Sequence, residues 1–424
     1  MNTPLSKGSR YVVLFAAIGG LLFDGVELGL MPVASLSVSQ SLLGDAFTPT
    51  LGGDWFARFT ASLMLGAAIG GILLGSLGDR IGRTRALGVS ILFYSVFAGL
   101  GAFVQTQEQM LVLRFMVGLG VGGVWPNAVA LAAECWPDRS RPIIAGLMGA
   151  ALNGGILMLS QIARTWHITP ESWRWIFQLA AAPAVLGLLA LTVIPESPLW
   201  QASRNARRTD ENSRSAAQRS ASALRELLRP PLLRLMLIGI LLGSIPMVGA
   251  WAASKWMIPW ADKVGGTTAP GYKAITQGWW ALGAVLGSFT GAQIAAWLGR
   301  RRAYAIMSAG AAALTALMFL GTAPLQASFL PSVFAQGFVT TLFFGWLPLY
   351  LPELFPTRVR ASGSGIAYNV GRFATALGVF AAGGLFAAMG GSYPKVGATC
   401  GLIYLLGLVV IWWAPDTTDK KLNA

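Results

Sequence analysis

Two carboxylates that could carry protons lie inside the first long apolar run of this 424-residue chain. Asp24 and Glu27 are three residues apart, so in a helix they project from neighbouring positions on one face. A charged side chain inside a membrane costs roughly 2.5–3.5 kcal/mol on insertion scales, which favours a functional role and a nearby partner. We predict proton coupling here, with Glu27 favoured as the titrating group. Asp24 could instead titrate, bind substrate or cap a helix kink.

Arg114 is the partner that the sequence predicts for Glu27. Both residues lie near the outer ends of their apolar runs, so their depths in a membrane match. A proton-coupling carboxylate needs a partner that can be rearranged, and a carrier that rocks between two states supplies such a change. The structural alternative is a static buried ion pair that only fixes one helix against the other.

Arg372 lies about 16 Å along its apolar run at 1.5 Å per residue, which is close to the bilayer midplane. A guanidinium at that depth must face a cavity or a buried acid, and it can hold a carboxylate with two hydrogen bonds. The internal repeat described below maps Arg372 onto Asn153, so we expect the two on opposite sides of a central cavity. We predict anion binding, with pairing to Asp24 or Glu27 as the alternative.

Other polar and aromatic side chains within the apolar runs are candidates to line an amphipathic pocket. They are Gln161, Gln277, Trp279, Trp280, Gln336, Trp346, Tyr350, Tyr368 and Asn369. Lys255 lies among tryptophans near the outer end of its run, where a lysine is expected to extend to the interface, although it could also attract anions. His167, the only histidine, falls in an external loop and is a poor proton relay.

Charged residues at the inner ends of the runs could form a gate. They are Asp79, Arg83, Glu134, Arg139, Glu196, Glu353 and Arg358. Opposite charges from both halves of the chain could form a ring that closes the cytoplasmic face. The alternative is that these arginines only set the topology, and Ala296, which replaces an acid in the second half, makes the second latch weaker.

The composition predicts an all-α integral membrane protein. Hydrophobic residues make up 54% of the chain and charged residues 11%, against about 25% charged in soluble proteins. Twelve apolar runs are each near the ~20 residues that cross a bilayer. They lie at 11–32, 56–77, 86–106, 109–134, 143–164, 174–194, 233–260, 274–298, 303–323, 328–351, 362–388 and 395–414.

The positive charge is distributed unevenly about these runs. With Gly75–Arg85 in the cytoplasm, 22 of the 31 Lys and Arg residues are cytoplasmic, six are external and three lie within runs. This asymmetry predicts a multi-pass protein of the cell inner membrane with both termini in the cytoplasm. The first run carries Asp24 and Glu27, so we interpret it as a retained helix rather than a cleaved signal.

The sequence offers no cofactor, metal or enzyme active site. Cys135 and Cys400 have no metal-like spacing. Gly118-x-Gly120-x-x-Gly123 matches a dinucleotide fingerprint, but it lies within an apolar run and is interpreted as a helix-packing surface. We therefore expect a proton gradient as the energy source, a small molecule and protons as partners, and no nucleic acid.

An internal repeat divides the chain. Glu134–Arg141 and Glu353–Arg360 share Glu-x-aromatic-Pro-x-Arg-x-Arg at a separation of 219 residues, and Gly82-Arg83 recurs as Gly299-Arg300. The long polar segment 199–232 separates six runs from six. We predict a first six-helix bundle at 1–198, a cytoplasmic linker at 199–232 and a second bundle at 233–424, which is a repeat pattern typical of secondary transporters.

Four motifs resemble the major facilitator superfamily. They are the Gly75–Arg85 turn, Arg114-x-x-x-Gly118-x-Gly120, Pro195-Glu196-Ser197-Pro198 and Pro352–Arg358. The resemblance covers nearly the whole chain. It implies two six-helix bundles related by pseudo-two-fold symmetry, alternating access and a monomer, and it places Glu27 where sugar porters carry an acid that pairs with an arginine and takes the proton.

Within that superfamily, Phe23–Glu27, Glu134–Pro137 and Asn369–Arg372 look like the proton-coupled carriers of aromatic acids, nicotinate and sialic acid. The resemblance implies uptake of a small organic acid, most simply a carboxylate, with protons. Three alternatives remain open. They are a proton-coupled sugar porter, as Pro195–Pro198 suggests; a proton-driven exporter of drugs or metabolites; and a sensor that keeps the fold without transport.

Overall fold

The computed structural model describes residues 6–136, 141–209, 225–266, 268–356 and 359–418. Regular structure in these residues is helical, and twelve of the helices are long and apolar enough to cross a membrane. The predicted all-α membrane fold of twelve helices in two six-helix bundles is confirmed. The exact bundle and linker boundaries stay a prediction, because residues 210–224 of the linker lie outside the described residues.

The twelve spans are numbered α1 to α12 in chain order. The first six are Lys7–Ala46, Pro49–Ile81, Arg83–Phe103, Gln107–Cys135, Gly146–Thr165 and Arg174–Thr192. The second six are Leu232–Gly265, Tyr272–Leu298, Arg300–Gly321, Phe329–Glu353, Gly363–Ala388 and Tyr393–Trp413. An amphipathic helix, Pro198–Thr209, follows α6 and begins the connection to the second half.

Two glycines allow the same tight turn in each half. Gly82 joins α2 to α3 with φ 114°, and Gly299 joins α8 to α9 with φ 84°, a region that favours glycine. A Cβ on Gly82 would lie 2.1 Å from Oε2 of Glu196. The recurring turn supports the internal repeat. We call the membrane side that carries these two turns the charged face.

Glycines also let helices cross closely inside each half. A Cβ on Gly25 of α1 would lie 1.8 Å from the carbonyl oxygen of Leu152, and one on Gly155 of α5 would lie 1.7 Å from that of Leu22. Gly118 of α4 meets α2 in the same way, while Gly120 meets α3. These crossings are the packing surfaces that small residues provide in membranes, as predicted for the Gly118–Gly123 segment.

The two halves meet closely at the face opposite the charged face. Trp256 of α7 makes an edge contact with Phe56 of α2 and stacks on Phe386 of α11 at 4.9 Å between ring centroids. Phe386 in turn lies over Gly53. These residues belong to one apolar core that includes side chains of both halves. The halves are therefore packed together at this opposite face.

Candidate functional site

A central cavity of about 100 Å³ lies between the two halves. Its polar lining comes from Asp24 and Asn153 in the first half and from Lys255, Thr341, Tyr368, Arg372 and Thr375 in the second. A second cavity, of about 200 Å³, shares Trp125, Tyr368 and Arg372 with it. The second cavity continues along α4, α10 and α11 toward the charged face, where it reaches Pro352.

Asp24 is the carboxylate that faces the central cavity. Its side chain is 1% exposed, and its Oδ1 atom has no hydrogen-bond partner among the described residues. The crossing at Gly25 brings this part of α1 against α5, next to Leu152. Arg372 lines the same cavity, and Glu27 lies one helical turn further along α1. The Asp24 carboxylate therefore lies at the cavity wall, where an anion or a proton that entered the cavity would act on it directly.

Glu27 forms an ion pair with Arg114, as the matching depths of the two residues in the membrane predicted. Nη1 of Arg114 donates to Oε2 of Glu27 at 3.1 Å, and Nη2 donates to the Glu27 backbone carbonyl at 3.3 Å. Both side chains are 1% exposed, and neither belongs to the lining of the two cavities. The pair links α1 to α4 behind the cavity wall. A role for Glu27 and Arg114 in proton coupling stays a prediction.

Arg372 links the second half to the first. Its Nη1 atom donates to the carbonyl of Ala67 at 3.1 Å and lies 3.5 Å from that of Gly122, so α11 reaches both α2 and α4. The guanidinium also lies 5.4 Å from the ring centroid of Tyr368. No hydrogen bond joins it to Asp24 or Glu27 within the described residues. Arg372 thus lies at the interface of the halves and lines both cavities.

Asn153 of the first half lines the same cavity as Arg372 of the second half, and it also bridges the halves. Its side-chain amide donates to Oγ of Ser288 in α8 at 2.8 Å. Trp280 and Tyr368 line the same cavity, and Asn369 lines the second one. Binding of substrate by these side chains stays a prediction, but their positions are compatible with it.

Several predicted pocket residues lie elsewhere. Gln161 is exposed and borders a separate cleft beside Trp279, away from the central cavity, so its role in substrate binding stays a prediction. Gln277 is buried between the halves and donates to Ser160 at 3.2 Å. Gln336 lies behind the cavity wall and accepts a hydrogen bond from Trp280 at 2.9 Å. Trp346 and Tyr350 belong to the core of the second half.

Lys255 is a cavity residue that the sequence analysis underestimated. It is 1% exposed rather than extended to the interface, so that expectation was wrong. The helix continues to Gly265, which leaves Lys255 about 15 Å from its end at 1.5 Å per residue. The predicted run ended at residue 260 because Asp262 and Lys263 interrupt the apolar pattern, so hydropathy gave no signal that the helix continues to Gly265.

The charged residues of the predicted gate form pairs within each half. Arg83 contacts Asp79 at 2.6 Å and Glu134 at 3.1 Å. Glu196 accepts a hydrogen bond from the backbone N–H of Thr84 at 3.1 Å, at the beginning of α3. Arg139 and Arg358 lie outside the described residues. A ring across both halves stays a prediction for a conformation that closes this face.

The second half repeats this cluster with a segment that the sequence analysis missed. Arg300 contacts Glu353 through two bonds of 2.9 and 3.1 Å, and Thr417 donates to the same carboxylate at 2.5 Å. Asp416 follows Pro415 as Glu196 follows Pro195, 220 residues earlier. Hydrogen bonds from Thr418 lower the pKa of the Asp416 carboxyl. The repeated Pro-acid-hydroxyl pattern was the available signal.

Comparisons with known proteins agree over nearly the whole chain. The model of the Major Facilitator Superfamily matches residues 14–379. A cis,cis-muconate transport protein of Acinetobacter baylyi is 31% identical over 93% of both chains. A niacin transporter, NiaP, of the same species is 26% identical over 88% of this chain and 86% of its own. The xylose transporter XylE of E. coli, in a partially occluded inward-open conformation, superposes with a TM-score of 0.75 at 18% identity, covering 98% of this chain and 100% of its own.

Proposed function

The chain belongs to the major facilitator superfamily, and from that membership we propose that it takes up a small organic acid together with protons by alternating access. The observation that carries the proposal is the cavity between the halves, which is lined both by Arg372 and by Asp24, a carboxylate whose Oδ1 atom has no hydrogen-bond partner among the described residues. A guanidinium in such a site suits a carboxylate substrate, whereas a neutral sugar does not require it.

The relatives support the same substrate class. Proteins named for the transport of cis,cis-muconate and of niacin match most of the length of this chain and of their own chains. The likeness to XylE lies in the fold, because the sequences are 18% identical. We therefore take the organic-acid carriers as the guide to the substrate and use a sugar as the negative comparison.

For proton coupling, we favour Asp24 as the group that responds to substrate in this conformation. Asp24 faces the cavity without a hydrogen-bonded cation, whereas Glu27 is held by Arg114 and would exchange a proton readily only after that arginine moves. An anion that binds beside Asp24 favours its protonated form, because two like charges repel in a low-dielectric site. Binding of the substrate and binding of the proton would then assist each other.

Uptake into proteoliposomes tests this function. With an inward proton gradient, labelled cis,cis-muconate or nicotinate should accumulate above its external concentration, and xylose should not. Asp24→Asn should abolish accumulation and retain counterflow, because the amide mimics a permanently protonated carboxyl. Accumulation of xylose alone would indicate a sugar porter, proton-driven efflux would indicate an exporter, and no counterflow with any compound would indicate a sensor.

Arg372→Lys tests charge selection at the same site. The substitution keeps the charge but removes the planar fork, so binding of a carboxylate should weaken by about 1.5–3 kcal/mol, or roughly 10- to 100-fold. Nicotinamide, the uncharged amide of nicotinate, should be affected less. Equal binding of nicotinate and nicotinamide to wild type, with equally small losses in the variant, would instead make Arg372 a bridge between the halves.

We also propose that the protein is a monomer in the inner membrane with its charged face and both termini in the cytoplasm. The excess of Lys and Arg on that side supports the orientation, and the resemblance to the superfamily supports the monomer. In a variant with both cysteines replaced by serine, a cysteine at the exposed Arg225 should resist an impermeant maleimide added to spheroplasts. A cysteine at the exposed Glu171, on the opposite face, should react. The reverse pattern would overturn the orientation.

A further inference from the structure

Helix α7 changes its winding where it reaches the central cavity. Residues Gly249–Ala253 are wound in a wide π-helical turn, and Ser254–Trp256 follow in a tight 3-10 turn. The side-chain amide of Gln336 in α10 donates to Oγ of Ser254 at 2.5 Å and holds this segment in place. Such local changes of winding are frequent at functional sites because they redirect side chains. Here the change presents Trp251 and Lys255 to the cavity.

The Lys255 ammonium is enclosed by aromatic rings and lacks an acceptor. Its Nζ atom lies 3.2 Å from the ring centroid of Trp280 and 5.5 Å from that of Trp251. It is buried, and it has no hydrogen-bond partner among the described residues. An ammonium has three N–H donors. The aromatic faces attract the ammonium group but do not supply conventional hydrogen-bond acceptors for its N–H groups. An anion that entered the cavity would supply those acceptors.

Charge in the cavity is unbalanced. The lining contains two basic side chains, Lys255 of α7 and Arg372 of α11, and one acidic side chain, Asp24 of α1. The Glu27–Arg114 pair lies behind the wall and is neutral as a unit. An anion in the cavity favours the charged form of both bases, so with Asp24 protonated the lining would present two positive charges to it. A ligand with one carboxylate would satisfy only one of the two cations.

We propose that Lys255 is a second anion-binding group and that the substrate is a dicarboxylate. One carboxylate meets Arg372 and the other meets Lys255, while the rings of Trp251 and Trp280 contact the apolar chain between them. This inference rests on the proposed function and deepens it, because it assigns the substrate class within organic acids. It also assigns a substrate contact to a lysine beyond the predicted site residues.

Binding of matched diacids and monoacids to the purified protein tests the proposal. The probes are succinate, adipate and suberate, which span a range of distances between carboxylates, and the monoamide of each. Tryptophan fluorescence reports binding directly, because Lys255 contacts Trp251 and Trp280. We expect at least one diacid to bind wild type about 10- to 100-fold more tightly than its monoamide, as expected for one additional charge-assisted hydrogen bond.

Lys255→Met removes the ammonium and keeps the length of the side chain. It should weaken binding of the preferred diacid by about 10- to 100-fold and leave binding of the monoamide unchanged, so that the two ligands bind the variant with similar affinity. Lys395→Met is the matched control, because Lys395 is exposed and lies outside both cavities. Melting temperatures of both variants check folding, and Lys255→Gln serves as a second variant.

Two results would overturn the proposal. One is that no diacid binds wild type more tightly than its monoamide, which is decided without any variant. The other is that Lys255→Met weakens diacid and monoamide equally, as loss of a purely structural contact would. Nicotinate separates this failure from that of the proposed function. If either result is obtained, binding of nicotinate that depends on Arg372 would retain the organic-acid carrier, and only the dicarboxylate would be rejected.

Discussion

Asp24 and Glu27 lie within one turn of α1, but only Glu27 has a cation within hydrogen-bonding distance. The difference arises from the direction in which each side chain points. Glu27 points to Arg114 in α4, whereas Asp24 points into the cavity that Arg372 also lines. Two carboxylates of similar chemistry therefore have different surroundings, and a static ion pair remains the alternative to a coupling role for Glu27.

The Glu27–Arg114 pair can be tested by removing one partner and then both. Arg114→Leu leaves a buried carboxylate without a partner, which costs about 3–5 kcal/mol, so the melting temperature should fall sharply. Glu27→Leu with Arg114→Leu removes both charges and should restore most of the stability. If the pair is only structural, this double variant still accumulates substrate. Loss of accumulation with intact counterflow would assign coupling to the pair.

At the scale of the helices, the position of Asp24 depends on the crossing of α1 and α5. Gly25 and Gly155 lie where the two backbones touch, and each would place an added Cβ less than 2 Å from a carbonyl oxygen of the other helix. The crossing puts Asp24 on α1 and Asn153 on α5 around one cavity. Small residues in these helices thus have a positional role as well as a packing role.

Two adjacent glycines provide a matched test of that crossing. Gly155→Ala must separate α1 from α5, and overpacking of this kind costs about 1–3 kcal/mol or more. We expect a lower melting temperature and weaker substrate binding. Gly154→Ala is the control, because a Cβ there would have no neighbouring atom within 4 Å. Equal effects of the two substitutions would show that the close crossing does not position the site.

At the scale of the whole molecule, the two halves are joined at the face opposite the charged face. Nζ of Lys273 in α8 donates to Asp262 of α7 and to Oγ of Ser37 in α1, each at 3.0 Å. The aromatic contacts of Trp256 lie at the same end of the molecule. On the charged face, the described ion pairs stay within one half. This conformation is therefore closed at the opposite face.

Lys273→Met should favour opening of that face, because it removes a charge-assisted bond between the halves. Such a bond contributes about 1.5–3 kcal/mol, which would shift the equilibrium roughly 10-fold or more. Spin labels on cysteines at the exposed Gln40 and Lys263 should report a longer distance population in Lys273→Met and an unchanged one in Lys395→Met. An unaltered distribution in Lys273→Met would assign closure to the aromatic contacts instead.

The number of helices, their order and the repeat that relates the halves could all be predicted from the amino-acid sequence. Apolar length is a local property, so twelve spans could be recognised without knowing their neighbours. Gly82 and Gly299 marked equivalent turns because the backbone there needs glycine. Matching depth in two spans was also sufficient to pair Glu27 with Arg114, since depth follows from position along a helix.

The direction of each side chain and its neighbours could not be predicted from the sequence and are visible in the packed helices. Gln161 and Asn153 lie on the same helix, yet one is exposed and the other lines the cavity. Lys255 is buried because α7 continues beyond it and changes its winding. Arg372 binds backbone carbonyls, which carry no sequence signal. Such contacts depend on how helices that are distant in sequence rotate about their axes and cross one another. These rotations and crossing angles cannot be inferred from one sequence.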